Sequence, residues 1–352
     1  MKTKKRNPVM VVFLVILIFL LGFVVYRSIR PEQGGNNTEN DTNMQGSEVI
    51  EPGTETESEI ETETETETET EPTPPTEGMD GIETFVIFGV DSRTNQLGKD
   101  THSDSIMVVR VNHDAGTVKV ASIYRDCMVH IEGKGYEKIT HAHCYGGPEL
   151  AISTVNENFD LDAENYVTVN FNTMIELVDA IGGVEIELTN AEASVMNSDR
   201  ITGAGTYLLD GKEALTFSRI RYIDTDFKRT ERQREVLFKI FEKAKPMSYR
   251  EKLKMAEGLL DNMNTSYSED EILVLLYSLS KYEIEEMTAF PEVFYAGDIY
   301  GWVEIPWSLV DMNAALHKFL YGTTDYVPSA KVQAYSDYLC QLVDGPTHDK
   351  RK

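Results

Sequence analysis

Five arginines, Arg219, Arg221, Arg229, Arg232 and Arg234, crowd the run YLLDGKEALTFSRIRYIDTDFKRTERQR between Tyr207 and Arg234, in a chain whose formal net charge is −26. So local a reversal of charge points to an anionic ligand, because planar guanidinium forks match phosphate oxygens two bonds at a time. The end of the run reads as a helix starting near Lys228, since Val236, Leu237, Ile240 and Phe241 recur at the spacing of one buried stripe. Traced backwards, that stripe reaches Arg229, so Arg229, Arg232 and Gln233, at i, i+3 and i+4, share the inward face. The first turn of such a helix adds unpaired N–H groups and the positive end of its dipole, both suited to phosphate.

Carboxylates and further arginines fall at the ends of strands. GVDSR (89–93) closes one strand with Asp91 and Arg93, THSDSIMVV opens the next with Asp104 at its edge, and SIYRD (122–126) ends a third with Arg125 and Asp126. Ligands gather at such strand ends in α/β sheets. Asp91 and Asp104 are candidate oxygen donors to Mg²⁺, which takes few carboxylates plus substrate phosphate. Each aspartate alone also fits a turn or capping role. Several guanidiniums in one place need compensation, for two like charges 4 Å apart repel by roughly 4 kcal/mol at an effective dielectric of 20. Either an internal set, Asp126, Asp224, Asp226 and Glu231, supplies it, or a pyrophosphate does. No Walker motif, HExxH, GxSxG or CxxC is present. His141 and His143 would face a metal together from a strand, and otherwise read as solvent-facing or core histidines. Cys127, Cys144 and Cys340 are too few to staple an exported domain, with a Cys127–Cys144 pair as the one candidate bridge.

The elements that must hold these residues follow from periodicity. Strands are predicted over 84–90, 105–111, 117–124, 166–170 and 184–188. Helices are predicted over 148–159, 172–181, 211–219, 228–244, 249–263, 269–282 and 306–320. Strands that alternate with helices and are then flanked by them indicate an α/β fold, a three-layer α/β/α sandwich around a mixed central sheet. The domain is expected over residues 81–325, with a tail over 326–352.

The N-terminal part has another composition. A basic stretch (1–8) precedes 18 apolar residues, Val9 to Tyr26, which predict one transmembrane anchor helix with a cytoplasmic N-terminus. Residues 27–80 read as a disordered acidic linker, since Pro31 to Asp80 holds 16 acidic residues and no Lys or Arg. The remainder of the chain is expected outside the cell membrane, in the cell wall. Its acidity argues against nucleic acid as a partner.

In this order the blocks GVDSR, SDSI (103–106), SIYRD, KITHAHCYGGPELAISTV (138–155), VNFNTMIELVDAIGGVEI (169–186), LDGKEALTFSRIRY (209–222) and RTERQREVL (229–237) resemble the LytR-CpsA-Psr family of Gram-positive cell-envelope proteins. The resemblance implies a phosphotransferase that moves a glycopolymer, carried as polyprenyl pyrophosphate, onto peptidoglycan through a phosphodiester bond. The polymer would be teichoic acid, capsule or another wall polysaccharide. By position, Asp91 and Asp104 look like the Mg²⁺-associated carboxylates, with catalytic parts for Arg125, Arg219 and Arg221. Arg93, Arg125, Arg219, Arg221, Arg229 and Gln233 look like the pyrophosphate clamp, to which the helical face adds Arg232. The family's lipid tunnel would run among Met174, Leu177, Val178, Leu237 and Ile240. Two positions depart from the family: His102 stands where many relatives have Arg, and Tyr124 replaces the proline of SIPRD. The rival readings are a membrane-anchored protein that binds lipid pyrophosphate without turnover, and a lipid pyrophosphatase.

Overall fold

The computed structural model describes residues 79, 81–92, 97–221, 223–257, 262–299 and 301–343; the expected anchor helix, the expected linker and Arg93 lie outside them. Among the described residues no helix is long and apolar enough to cross a membrane. Strands β1 (Ile82–Val90), β2 (Ser103–Asn112) and β3 (Thr117–Ile123) lead into a hairpin of β4 (Met128–Ile131) and β5 (Gly135–Lys138). Then come α1 (Thr140–Phe159), β6 (Asn165–Val169), α2 (Phe171–Ala180), β7 (Val184–Leu188), α3 (Asn190–Ala193), β8 (Gly205–Leu209), α4 (Gly211–Ser218), α5 (Asp226–Ala244) and α6 (Tyr249–Glu257). The chain continues through β9 (Met263–Thr265), α7 (Glu269–Ser278), a 3₁₀ turn (Leu279–Lys281), β10 (Glu283–Phe290), β11 (Phe294–Asp298), β12 (Trp302–Pro306), α8 (Leu309–Tyr321) and α9 (Ala330–Leu342).

A six-stranded sheet of order β10-β3-β2-β1-β6-β9 forms the middle layer. It is mixed, because β1 runs parallel to β6 and β3 to β10, whereas β1–β2, β2–β3 and β6–β9 are antiparallel. Side chains alternate across a strand, and β1 and β2 are buried at nearly every position, so the sheet carries a core on each face. Phe85, Ile87, Met107, Val109, Val120 and Val167 point into one core with the buried faces of α2, α4, α5 and α7. Val86, Phe88, Ile106, Val108 and Ile123 point into the other with α1, α8 and α9. The α/β/α sandwich is the predicted one.

Several elements differ from the expected pattern. The first helix begins at Thr140 rather than Pro148, because a short segment precedes a kink at Gly147 (φ 73°) and Pro148 opens the second segment. Proline favours a first turn, and the positive φ suits glycine. The helix expected over 249–263 ends at Glu257, and Met263 lies in β9. Strand β10, EIEEMTAF, was hidden by its glutamates, which an edge strand tolerates. The segment expected as a C-terminal tail contains α9, with Val332 and Leu339 fully buried against the second core. Leu339→Ala should therefore destabilise the domain by about 2–5 kcal/mol in urea unfolding. An unchanged midpoint would mean that residues 326–343 are a tail after all.

Candidate active site

The sheet's topology brings the functional segments to one edge. Because β1 and β6 run together and β2 opposes them, the C-terminal ends of β1 and β6 meet the N-terminal end of β2. The C-terminal ends of β3 and β10 join that edge. Asp91, Asp104 and Arg125 are thereby neighbours although 34 residues separate the first from the last.

Asp104 is placed by a bulge. Gly89 pairs with Ser105 and Val90 with Ser103, which leaves Asp104 as the extra residue on β2. Bulges of this kind re-aim a side chain. Its carboxylate is 2% exposed; Oδ1 accepts from Arg125 Nη1 at 2.7 Å and from Thr140 Oγ1 at 3.5 Å. Burial pushes the Asp104 carboxyl up to about 7, against the charge and hydrogen bond of Arg125; Asp91 adds to the rise and Arg221 opposes it. These four groups therefore share one field. Arg125 also lies 3.4 Å from Asp126, which Lys138 holds at 2.9 Å.

Asp91 closes the turn between β1 and β2. Its N–H donates to the His102 carbonyl at 3.1 Å, and its Oδ1 accepts from the His102 N–H at 3.0 Å. The aspartate thus closes the turn and also acts on the Asp104 carboxyl. The His102 ring is 3.9 Å from Asp91 Oδ2. Burial lowers the His102 pKa; Asp91 opposes this, while His141, Arg125 and Lys138 reinforce it. Among the described residues no group of three or more His, Cys, Asp or Glu is placed to hold a metal.

The arginines divide. Arg219 caps the C-terminal end of α4, its guanidinium 4.7 Å above the Phe171 ring at the start of α2, a cation–π contact. Arg221 follows it and acts on Asp104. On α5, Arg229, Arg232 and Gln233 are 2–4% exposed, so the inward face is the expected one. Gln233 Nε2 donates to the Ser218 carbonyl at 3.5 Å. Arg232 departs from the phosphate role: Nε donates to Glu192 at 2.7 Å, Nη1 to the Ile220 carbonyl at 2.9 Å, and Nη2 pairs with Asp224. Burial works against its charge, but Asp224 and Glu192 outweigh that and raise its pKa. Arg232 is thus a tie between α5, α3 and the α4–α5 loop, and its carboxylates leave no need for an external anion. Arg234 is drawn in beside Tyr124, with burial lowering its pKa and Tyr124 and Glu231 opposing.

Met174, Leu177, Val178, Leu237 and Ile240 come together between sheet and helices, all at 0–2% exposure within one closed apolar core. His141 and His143 lie on α1, not on a strand; His141 contacts Glu137 at 2.9 Å. All three cysteines are free thiols. Thr140 and Lys138 do not stand out in the sequence; their only signal is their place in the KITHAHCYGG block.

Residues 48–297 match the LytR_cpsA_psr family, and the chain belongs to it. It is 35% identical over 170 residues to the polyisoprenyl-teichoic acid–peptidoglycan teichoic acid transferase TagT of Bacillus subtilis, covering 46% of this chain and 53% of that one. Against TagU of Halalkalibacterium halodurans the identity is 34% over 193 residues, covering 53% and 60%. The chain thus spans little more than half the length of these curated relatives. A solved structure of the family protein YwtF (TagT) with bound octaprenyl pyrophosphate lipid superposes with a TM-score of 0.53 at 25% identity, over 71% of this chain and 95% of that one.

His143 supplies a pH test of the fold behind the site. It is fully buried; Nδ1 donates to the Thr101 carbonyl at 3.0 Å and Nε2 lies 3.4 Å from Thr168 Oγ1. Burial is the main cause that lowers its pKa, to about 4. A lowered folded pKa means the unfolded chain binds the proton first, so this stabilisation is complete above about 6.5 and is lost as pH falls towards 4. The loss amounts to about 3 kcal/mol. Urea unfolding between pH 7.5 and 4.5 should show it, and His143→Gln should flatten that slope; an unchanged slope would contradict the assignment.

Proposed function

We propose that this protein is a phosphotransferase that moves a glycopolymer from a polyprenyl pyrophosphate carrier to a hydroxyl of peptidoglycan. The observation that carries the reading is the convergence of Asp91, Asp104, Arg125 and Arg221 at one sheet edge. Family membership and the transferases it resembles support the same chemistry. The apolar run Val9 to Tyr26 supports a membrane anchor with the domain in the cell wall, where both partners are found.

Phosphoryl transfer of this kind is mostly positioning and charge neutralisation. The acceptor oxygen attacks the sugar-proximal phosphorus, a P–O bond forms, and the bond to the bridging oxygen breaks. Polyprenyl phosphate leaves with the electron pair. Arg125, Arg219, Arg221 and Arg229 hold the pyrophosphate oxygens, with Gln233 beside them and Arg93 as a further donor by position. Asp91, its side chain 26% exposed against 2% for Asp104, is the carboxylate an acceptor reaches, and it takes the hydroxyl proton. Asp104 keeps Arg125 aimed at the phosphates.

The two carboxylates also fit Mg²⁺. Asp104 lies buried against Arg125, and Asp91, partly exposed at the β1–β2 turn, shares its field. Two hard oxygen donors beside a phosphate are what this ion uses. Asp91 and Asp104 would hold it, and the ion would neutralise charge that develops on the phosphate oxygens.

Asp91→Asn should cut transfer about 100-fold or more, while the affinity for octaprenyl pyrophosphate measured without Mg²⁺ stays within about threefold. Arg221→Ala should weaken that affinity roughly tenfold with an unchanged circular dichroism spectrum. Transfer at the parent rate in Asp91→Asn would refute the base assignment, and unaltered lipid binding in Arg221→Ala would refute the clamp.

A further inference from the structure

Next to Asp91 begins a row of half-exposed rings that the core does not require. The His102 side chain is 42% exposed and that of His141 28%, while Tyr145 is 39% exposed. Ring centres are 5.4 Å apart from His102 to His141 and 5.8 Å from His141 to Tyr145. His141 and Tyr145 are i and i+4 on the first segment of α1, so they present one face. The packing needs of that turn are met by Ile139, Ala142 and His143, all 0–1% exposed. The row has a polar rim: Glu137 binds His141 at 2.9 Å, and the Lys134 ammonium is 4.6 Å from the Tyr145 ring centre. Lys138, at the end of the same hairpin, binds Asp126 beside Arg125.

Successive rings meet edge to face, at 66° and 62°, so the row offers ring faces and hydrogen-bonding edges in turn; this suits pyranose sugars, whose axial C–H faces stack on aromatics while their hydroxyls reach ring edges and the rim. We propose that His102, His141 and Tyr145 form the platform on which the peptidoglycan glycan strand lies, with its acceptor hydroxyl delivered to Asp91. This deepens the transferase reading and rests on it for the identity of the sugar. Charge supports the acceptor: muramic acid and its peptide stem bear carboxylates, and Lys134, set over one face of the Tyr145 ring, offers an ammonium beside the row, while Lys138 is taken up by Asp126. Position supports it too: the His102 ring, at one end of the row, lies 3.9 Å from the Asp91 carboxylate.

The test uses the full chain in detergent micelles, titrated with a tetrasaccharide of alternating N-acetylglucosamine and N-acetylmuramic acid and, separately, with octaprenyl pyrophosphate. Tyr145→Ala should weaken the tetrasaccharide roughly tenfold, Tyr145→Phe less than about twofold, and neither should change lipid affinity by more than about twofold. Equal tetrasaccharide affinity in Tyr145→Ala and the parent would overturn the platform, as would a glycerol phosphate oligomer that competes through Tyr145. Tyr145-dependent sugar binding by a parent that ignores the lipid would sink the transferase reading and leave the platform standing. Lipid binding without Tyr145-dependent sugar binding would do the reverse.

Discussion

The pairing of Asp104 with Arg125 is the contact on which the rest of the site depends. A carboxylate buried this far is unfavourable by itself, and removing one partner of a buried ion pair costs about 3–5 kcal/mol because the other charge is stranded. The β2 bulge makes the burial possible, since a regular strand would turn position 104 to another side. The same constraint fixes the neighbours. Arg125 must follow β3 closely, Asp91 must close the β1–β2 turn, and Thr140 must start the helix that covers the pair. Lys138 secures Asp126 behind Arg125, so the guanidinium is held between two carboxylates.

Around that pair, positive charge is arranged in two ways that look alike in the chain and differ in the fold. Arg232 is neutralised internally by Glu192 and Asp224 and ties helices together. Arg221 instead adds to the field at Asp104. Of the two accounts weighed from composition, internal compensation is seen at Arg232, and the external anion is the proposed part of Arg221 and its neighbours. Only a fold that brings Glu192 to within 2.7 Å of Arg232 decides which arginine has which part, and 40 residues of chain separate the two.

Much of the fold was legible because its central strands are long buried runs, β7 alternates apolar and charged residues, and its central helices carry one stripe. Val184–Leu188 was read to the residue, and α5 to within two. What escaped was set by tertiary context. Glutamates on β10 are tolerated at the sheet's edge, α9 has only a narrow buried stripe, and the segment before Gly147 is too short for a period to show. In the site, the aspartates and Arg125 were visible as charges at strand ends, and Arg229 and Gln233 as the inward face of a helix. The bulge at Asp104 was not visible, because it is a property of the pairing between two strands. Tyr145 was not singled out either, since an exposed tyrosine gains meaning only from the rings beside it.

The central claim is that this edge of the sheet makes a phosphodiester between two glycans. The most direct measurement is mass analysis of the products when the full chain in micelles is given a polyprenyl-pyrophosphate-linked oligosaccharide, peptidoglycan fragments and Mg²⁺. The account predicts the oligosaccharide joined to the fragment through one phosphate, with polyprenyl monophosphate released in equal amount. Free sugar phosphate as the sole product, or a lipid that remains intact and bound, would contradict it.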